Sequence, residues 1–379
     1  MNRVFLLLLF LLSLKAEAQS SVLSIADSLY ANGNYTKAIT NYEIHDNQQD
    51  VYSKLAKAYV AIGSYDKALS NYELGLNAYP NNALLKYDYA KLLAKTKKYE
   101  EASKLFYELI DHDYRNPNYH FELGLIFEQL KEPFKSQSRF FNTYELDETH
   151  QKAIFKLAKF QLKKRNYEVS HKYIDAGLKS YGNNTSLISL KAQNYYSQHE
   201  YEKAIVWFEK LLQLGEDSQF IHEKLSISYE NTYDNKKAIE HLILALELDG
   251  KDVVNLYRLG YLYKEDENFE KAKEYMELAL KLQDLPLDHE YVQLASVYNH
   301  LKQPQKAIWA FKRALKENPS NEYAVFLLVH TKADFYKDLD AKIKLYENYI
   351  EKHPKTKFTP MAKQCLSELK KKQFMKGEQ

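Results

Sequence analysis

The sequence predicts an all-α solenoid of antiparallel helix pairs. Three observations predict it: small residues recurring at a 34-residue step, large apolar residues locked to them at helical spacing, and few turn formers. Of 379 residues only 10 are Gly and 8 are Pro, where average usage would give roughly 27 and 19. With 45% hydrophobic residues and no Pro/Gly/Ser-rich linker, the chain reads as many helices with short connections.

Taken in order, the first element is a leader. Arg3 precedes an apolar run from Val4 to Leu14, and Ala16-Glu17-Ala18 then supplies small residues at both ends of a cleavage triplet. The run is about half of the roughly 20 residues that a helix needs to cross a bilayer. This is the secretory pattern, so residues 1–18 are expected to be removed after Ala18 and the protein exported to the periplasm or secreted. No cysteine stands near that site to carry a lipid. The lone Cys365 excludes an internal disulfide, so stability must come from packing.

Residues 19–355 carry the repeat. A short unit (19–48) precedes regular ones (49–355) that start near residues 49, 83, 117, 151, 185, 219, 253, 288 and 322. In the second helix of each pair the small residue is Ala38, Ala68, Ala102, Ser136, Ser170, Ala204, Ala238, Ala272, Ala307 or Ala341. Twelve residues earlier stand Ala56, Ala90, Gly124, Ala158, Ala192, Ser226, Gly260 and Ala295. Four after the second-helix residue come large side chains such as Tyr72, Phe106, Phe140 and Phe208. Two small residues at that spacing mark the crossing of two antiparallel helices, where a larger Cβ substituent would push the backbones apart. The large residues fill the space beside the crossing. Each pair leaves an apolar side that the next pair covers. Residues 356–379 are expected to form a capping helix and tail, with Cys365 and Leu366 on its inner face.

Leu-Ala/Gly-x-x-Tyr followed by Tyr-x-x-Ala, an aromatic four on and a closing Pro (Pro80, Pro319, Pro354) resembles the tetratricopeptide-repeat pattern. The resemblance covers roughly residues 20–355 and implies about ten motifs wound as a right-handed superhelix. Local departures are expected to show. Gln161 and Lys191 occupy positions where the pattern is apolar. Pro133-Phe134 is expected to bend the entry to a second helix, and the extra residue around Leu285-Pro286-Leu287 to kink the stack.

The residues offer no chemistry for catalysis. There is no His-Glu-x-x-His, no Gly-x-Ser-x-Gly and no phosphate loop. The twelve histidines form no i, i+4 pair and one cysteine makes no paired ligand set, so neither a metal nor a cofactor is expected. A net charge of +2 gives no reason to expect nucleic acid. The expected role is a non-enzymatic protein- or peptide-binding scaffold or adaptor of the bacterial cell envelope. A sensory input module of an envelope signalling system and a glycan- or peptidoglycan-binding solenoid stand as alternatives.

The resemblance also implies where binding would occur. In tetratricopeptide repeats the concave surface is lined by first helices at motif positions 2, 5, 9, 12 and 13. Positions 5 and 9 are Tyr87 and Lys91, Phe121 and Leu125, and Phe155 and Lys159 in three successive units. Farther on they are Glu223 and Ile227, then Tyr257 and Tyr261. The three successive rings read either as a stripe for an extended peptide with apolar and acidic groups or as padding between neighbouring first helices, which any stack requires. The lysine–asparagine pair of the carboxylate-clamp members occurs in no unit, so that mode is not expected.

Overall fold

The computed structural model describes residues 22–248, 252–282 and 287–377. The leader and Leu285-Pro286 lie outside the described residues. Among the described residues there is no strand. Among the described residues the order is ten helix–turn–helix units followed by a last helix, α21 (Thr359–Gly377).

Two compact units divide the chain, one ending at Leu190 and one starting at Lys191. The first runs from α1 (22–31), α2 (Tyr35–Glu43), α3 (Tyr52–Ala61), α4 (Tyr65–Ala78), α5 (Ala83–Lys95) and α6 (Tyr99–His112) to α7 (Pro117–Gln129), α8 (Pro133–Leu146), α9 (Gln151–Lys163) and α10 (Tyr167–Ser180). The division falls inside α11 (Thr185–Ser197). The second contains α12 (Tyr201–Gln213), α13 (Gln219–Asn231), α14 (Asn235–Leu248), α15 (Val253–Glu265), α16 (Phe269–Leu282), α17 (Asp288–His300), α18 (Pro304–Glu317), α19 (Glu322–Phe335), α20 (Leu339–Lys352) and α21. Within the first unit consecutive helices from α2 to α10 pack on one another, and within the second those from α12 to α21 do.

The core follows from the small residues. Ala68, Ala102, Ala204, Ala238, Ala272 and Ala307 are fully buried, as are Ala56, Ala90, Ala158 and Ala295. Where the second-helix residue is Ser, its hydroxyl donates to a first-helix carbonyl twelve residues back. Ser136 donates to Gly124 O and Ser170 to Ala158 O, both at 2.9 Å. A buried hydroxyl needs such a partner.

The turn inside every pair but the last has one geometry. Lys97, Lys131, Arg165, His199, Tyr233, Glu267 and Lys302 all adopt φ of 55–64°. Two bonds close the first helix there, as when Lys98 N–H donates to Leu93 O (2.8 Å) and Lys97 N–H to Ala94 O (3.1 Å). This is the left-handed helix stop that usually carries glycine, and only Gly33 and Gly63 supply glycine within these turns.

Tyrosine abundance has a structural account. Lys67, Lys203, Lys237, Lys271 and Lys306 sit 4.8–5.6 Å from the ring centroids of Tyr59, Tyr195, Tyr229, Tyr263 and Tyr298. Each lysine stands next to the small residue of its second helix, so the pair pins the two helices together. Hydroxyls of Tyr59, Tyr229 and Tyr298 donate to Glu43, Glu209 and Glu277.

Two sequence expectations need correction. Pro133 does not bend the entry to α8, because it occupies the first turn, where a missing N–H is no loss. Gln161 and Lys191 stand at positions that the pattern fills with apolar residues: Gln161 accepts from Asn166 Nδ2 at 2.9 Å, and Lys191 covers the Trp207 ring at 4.3 Å. In the last pair the expected register at Ala341 and Leu345 slips. Ile343, Tyr346 and Tyr349 are buried instead, because the connection there is extended at Tyr336 and lacks the left-handed turn. α21 closes that pair, with Cys365, Leu366 and Leu369 packed around Phe326, Tyr346 and Tyr349.

Candidate functional site

First helices start where a polar residue caps them. Asn82, Asn116, His150, Asn184, Ser218, Asp252 and Asn321 each accept a backbone N–H of the first turn. These caps recur mostly at the same 34-residue step, a polar register that accompanies the apolar one and is absent from the sequence-based site. Caps fix where each helix begins, and hence which side chains share its outer face.

In the first unit, α7 and α9 hold two adjoining hollows. One, of about 350 Å³, is lined by Phe121, Leu125, Phe155, Gln151, Lys152 and Lys156 among others. The other, of about 340 Å³, is lined by Glu128, Lys131, Gln137, Lys156, Lys159 and Lys163 among others. Lys156 borders both. Its ammonium pairs with Glu128 at 2.5 Å. Lys159 lies over the Phe155 ring at 5.5 Å. Gln151 braces the wall, donating to Ser180 Oγ (2.7 Å) and accepting from Asn184 Nδ2 (2.8 Å). Lys131, Lys152, Lys156 and Lys163 are absent from the sequence-based site, which draws only on motif positions 5 and 9; Lys152 and Lys163 stand at positions 2 and 13.

The three rings expected as a stripe have different surroundings. Phe121 is buried at 7% exposure, packed 5.5 Å from Phe140 and 4.8 Å from His150. Phe155 and Leu125 are half-buried at the hollow. Tyr87 is half-buried between Phe106 and Tyr119, each 5.8 Å away. Its hydroxyl donates to Glu122 at 3.3 Å. Burial and then the Glu122 charge push its pKa up to about 12. Lys91 covers that ring at 5.3 Å and pairs with Glu122 at 3.5 Å. The structure brings Phe121, Leu125 and Phe155 to one hollow, and leaves Tyr87 and Lys91 in a self-satisfied cluster.

In the second unit the predicted residues are tied into the framework. Glu223 accepts from Gln219 Nε2 (2.7 Å) and Asn255 Nδ2 (2.5 Å), beside the α15 cap Asp252. Ile227 and Tyr261 are half-buried, with Lys264 over the Tyr261 ring at 5.2 Å. Tyr257 points a buried hydroxyl at no partner among the described residues. Burial, then Glu290 and Tyr261, raises its pKa.

One cluster depends on the fold alone. His222 and His241, nineteen residues apart, face each other through Nδ1 atoms 2.9 Å apart, and Asp217 takes the other side of His222 at 2.9 Å. Burial first, and then His222, holds the His241 pKa below the usual imidazole range. Among the described residues no group of three or more His, Cys, Asp or Glu is arranged to hold a metal ion. No helix among them is long and apolar enough to cross a membrane.

Models of the tetratricopeptide repeat match residues 59–121, 255–284 and 291–321. The chain is 25% identical over 293 residues to the antiviral innate immune response effector IFIT1 of Macaca fascicularis, covering 72% of this chain and 58% of that protein. It is 29% identical over 179 residues to the Homo sapiens protein of the same name, covering 43% and 37%. The chain thus spans between a third and three-fifths of the length of these relatives. The C-terminal part of a TPR repeat-containing protein from Cytophaga hutchinsonii superposes with a TM-score of 0.52 at 18% identity, over 63% of this chain and 98% of that one. That likeness shows the fold: helix pairs packed as in a tetratricopeptide-repeat solenoid. Proteins of this repeat type serve as protein-binding scaffolds.

Proposed function

We propose that this protein is an exported, non-enzymatic scaffold of the bacterial envelope that holds a protein or peptide segment against its first helices. The observation that carries the reading is the open apolar hollow of Phe121, Leu125 and Phe155 on α7 and α9. A solenoid buries apolar side chains between its layers, so a half-open apolar cup on a first-helix face suits a side chain from another chain. Export is supported by the Arg3, Val4–Leu14 and Ala16-Glu17-Ala18 pattern. Amino-terminal sequencing of protein recovered from fractionated cells is expected to begin at Gln19 in the periplasmic or extracellular fraction.

Phe121 is a poor probe of binding because it is core. Leu125→Asp and Phe155→Ala change the cup at half-buried positions whose side chains also pack on the core, so thermal melting first establishes that each variant is folded at the assay temperature. Crosslinked partners from envelope extracts are expected to be lost in both folded variants. Retention of every partner by both variants rejects the cup as the holding site.

A further inference from the structure

α9 has an outer face unlike that of any other first helix in the chain. Lys152, Lys156, Lys159 and Lys163 follow one another at spacings of 4, 3 and 4. At about 100° per residue they fall within roughly 60° of arc, and at about 1.5 Å per residue they form a stripe roughly 16 Å long. The buried residues Ala153, Ile154, Leu157 and Ala158 occupy the other side, so the core asks for none of the four lysines. The same four motif positions read Leu84, Asp88, Lys91 and Lys95 in α5, and Asn118, Glu122, Leu125 and Gln129 in α7. They read Phe220, Lys224, Ile227 and Asn231 in α13, and Val254, Arg258, Tyr261 and Glu265 in α15. No acidic residue occurs from Gln151 to Asn166, while Lys164 and Arg165 extend the charge.

This arrangement opposes helix stability. Like charges three or four apart are destabilising by a few tenths of a kcal/mol per pair. Only Lys156 is neutralised, by Glu128. Among the described residues no carboxylate pairs with Lys152, Lys159 or Lys163. Lys131 adds a further cation on the other wall of the basic hollow. Unpaired like charges held along a helix beside an apolar cup are what an incoming anion would satisfy.

We propose that the α9 stripe is a docking track for an acidic polypeptide segment in extended conformation, anchored by an apolar side chain in the cup of Phe121, Leu125 and Phe155. The inference rests on the scaffold reading and names the chemistry of its ligand. Carboxylates on alternate residues of an extended chain are about 6.6 Å apart. Successive lysines are about 6, 4.5 and 6 Å apart along the helix axis, so alternate acidic side chains fall close to register with them. The cup lies toward the start of α9, at Gln151, Lys152 and Phe155, and the basic hollow toward its end, at Lys159 and Lys163. The apolar anchor and the acidic run therefore lie side by side in the ligand. A stripe of roughly 16 Å on a chain of net charge +2 is short for tracking a phosphate backbone, and the one ring of the cup outside the core, Phe155, already carries Lys159 over it at 5.5 Å, which leaves little free platform for a stacking base.

The test pans a random peptide display library against the full chain, the triple variant Lys152→Glu/Lys159→Glu/Lys163→Glu and its charge-neutral counterpart with Gln at all three. Thermal melting verifies that each is folded. Wild type is expected to retain peptides with Asp or Glu at alternate positions beside one Leu, Ile or Phe. A labelled peptide of that consensus is expected to bind at least tenfold more weakly to the Gln variant and at least thirtyfold more weakly to the Glu variant, and to weaken as salt rises. A consensus that is apolar without acidic residues, bound equally by all three proteins and lost in Leu125→Asp, overturns the acidic track and leaves the scaffold reading standing. Tighter binding of an oligo-dT or of anionic vesicles that is lost in the Glu variant overturns it in favour of a phosphate polyanion. Retention of no peptide by the wild type overturns it as well.

Discussion

α9 and α15 are the same motif element in different units, and their inner faces agree while their outer faces diverge. Inward, α9 buries Ile154, Leu157 and Ala158, and α15 buries Leu256, Leu259 and Gly260. Outward, α9 shows four lysines where α15 has Val254, Arg258, Tyr261 and Glu265. α15 also neutralises its charge, since Arg258 pairs with Glu230 at 2.9 Å and Lys264 with Glu265 at 3.3 Å. Even the caps differ: His150 holds the first turn of α9 through Nδ1, and Asp252 that of α15 through its carboxylate. Packing constrains the inner positions of a repeat and leaves the outer ones free. A run of like charges on the free face is therefore a departure that the fold does not explain.

The largest expected effects test whether the inner faces are equivalent. A Cβ on Gly124 would lie 2.6 Å from the Phe140 ring, and one on Gly260 2.7 Å from Met276 Cγ. Gly124→Ala is expected to lose about 1–3 kcal/mol in urea unfolding, as overpacking against a rigid ring does. Gly260→Ala should lose at least as much, because the added Cβ also meets backbone, Ala272 O and Met276 N at 3.2 Å, which cannot turn aside. A smaller loss at Gly260 would show that the facing side chain rather than the backbone sets the fit. Next in size are the outer faces. Lys152→Glu places an anion at the start of α9 and opposite Lys156, and should stabilise by about 0.5–1 kcal/mol. Arg258→Gln on α15 should destabilise by about 0.2–1 kcal/mol. Two changes of the same sign would break the contrast between an unpaired stripe and a paired face.

A comparable gain is expected where the helices are alike. Lys131→Gly and Glu267→Gly each relieve a left-handed residue, and each should stabilise by about 0.5 kcal/mol after the added chain entropy of glycine. A gain in one unit only would mean that the two turns are strained differently. The smallest effect separates the caps by pH. Burial first, with Lys152 adding, holds His150 below the ordinary 6.5. Its contribution is whole above the unfolded value and is lost as pH falls through the depressed folded one. His150→Asn, which keeps a cap acceptor, should flatten the fall in stability between about pH 7 and 5. His120 and His241, also lowered by burial, should leave a residual slope. An unchanged slope would show that His150 stays neutral throughout that range.

Much of this architecture was legible beforehand because its determinants are local. Ala68, Ala102 and Ala204 announce helix crossings by spacing alone, and a backbone approach tolerates nothing larger there. The cap series of Asn82, Asn116 and Asn184 is legible on the same ground, since it recurs in register with the repeat. The site was legible only in outline. Phe121 and Phe155 occupy the same motif position and border the same cup, yet Phe121 is buried and Phe155 only half-buried. Their difference comes from Phe140 and His150, which close over Phe121.

By itself the sequence determined the helix pairs, their period and the lysine series of α9. Each follows from spacings shorter than one repeat, within which helical geometry ties position to face. Tertiary structure alone decided which rings stay open, that His222 meets His241, that the last pair buries Ile343, Tyr346 and Tyr349, and that Glu128 reaches Lys156 and none of its three neighbours. Those outcomes depend on which side chain a neighbouring helix brings to the contact, and no period within one repeat encodes that.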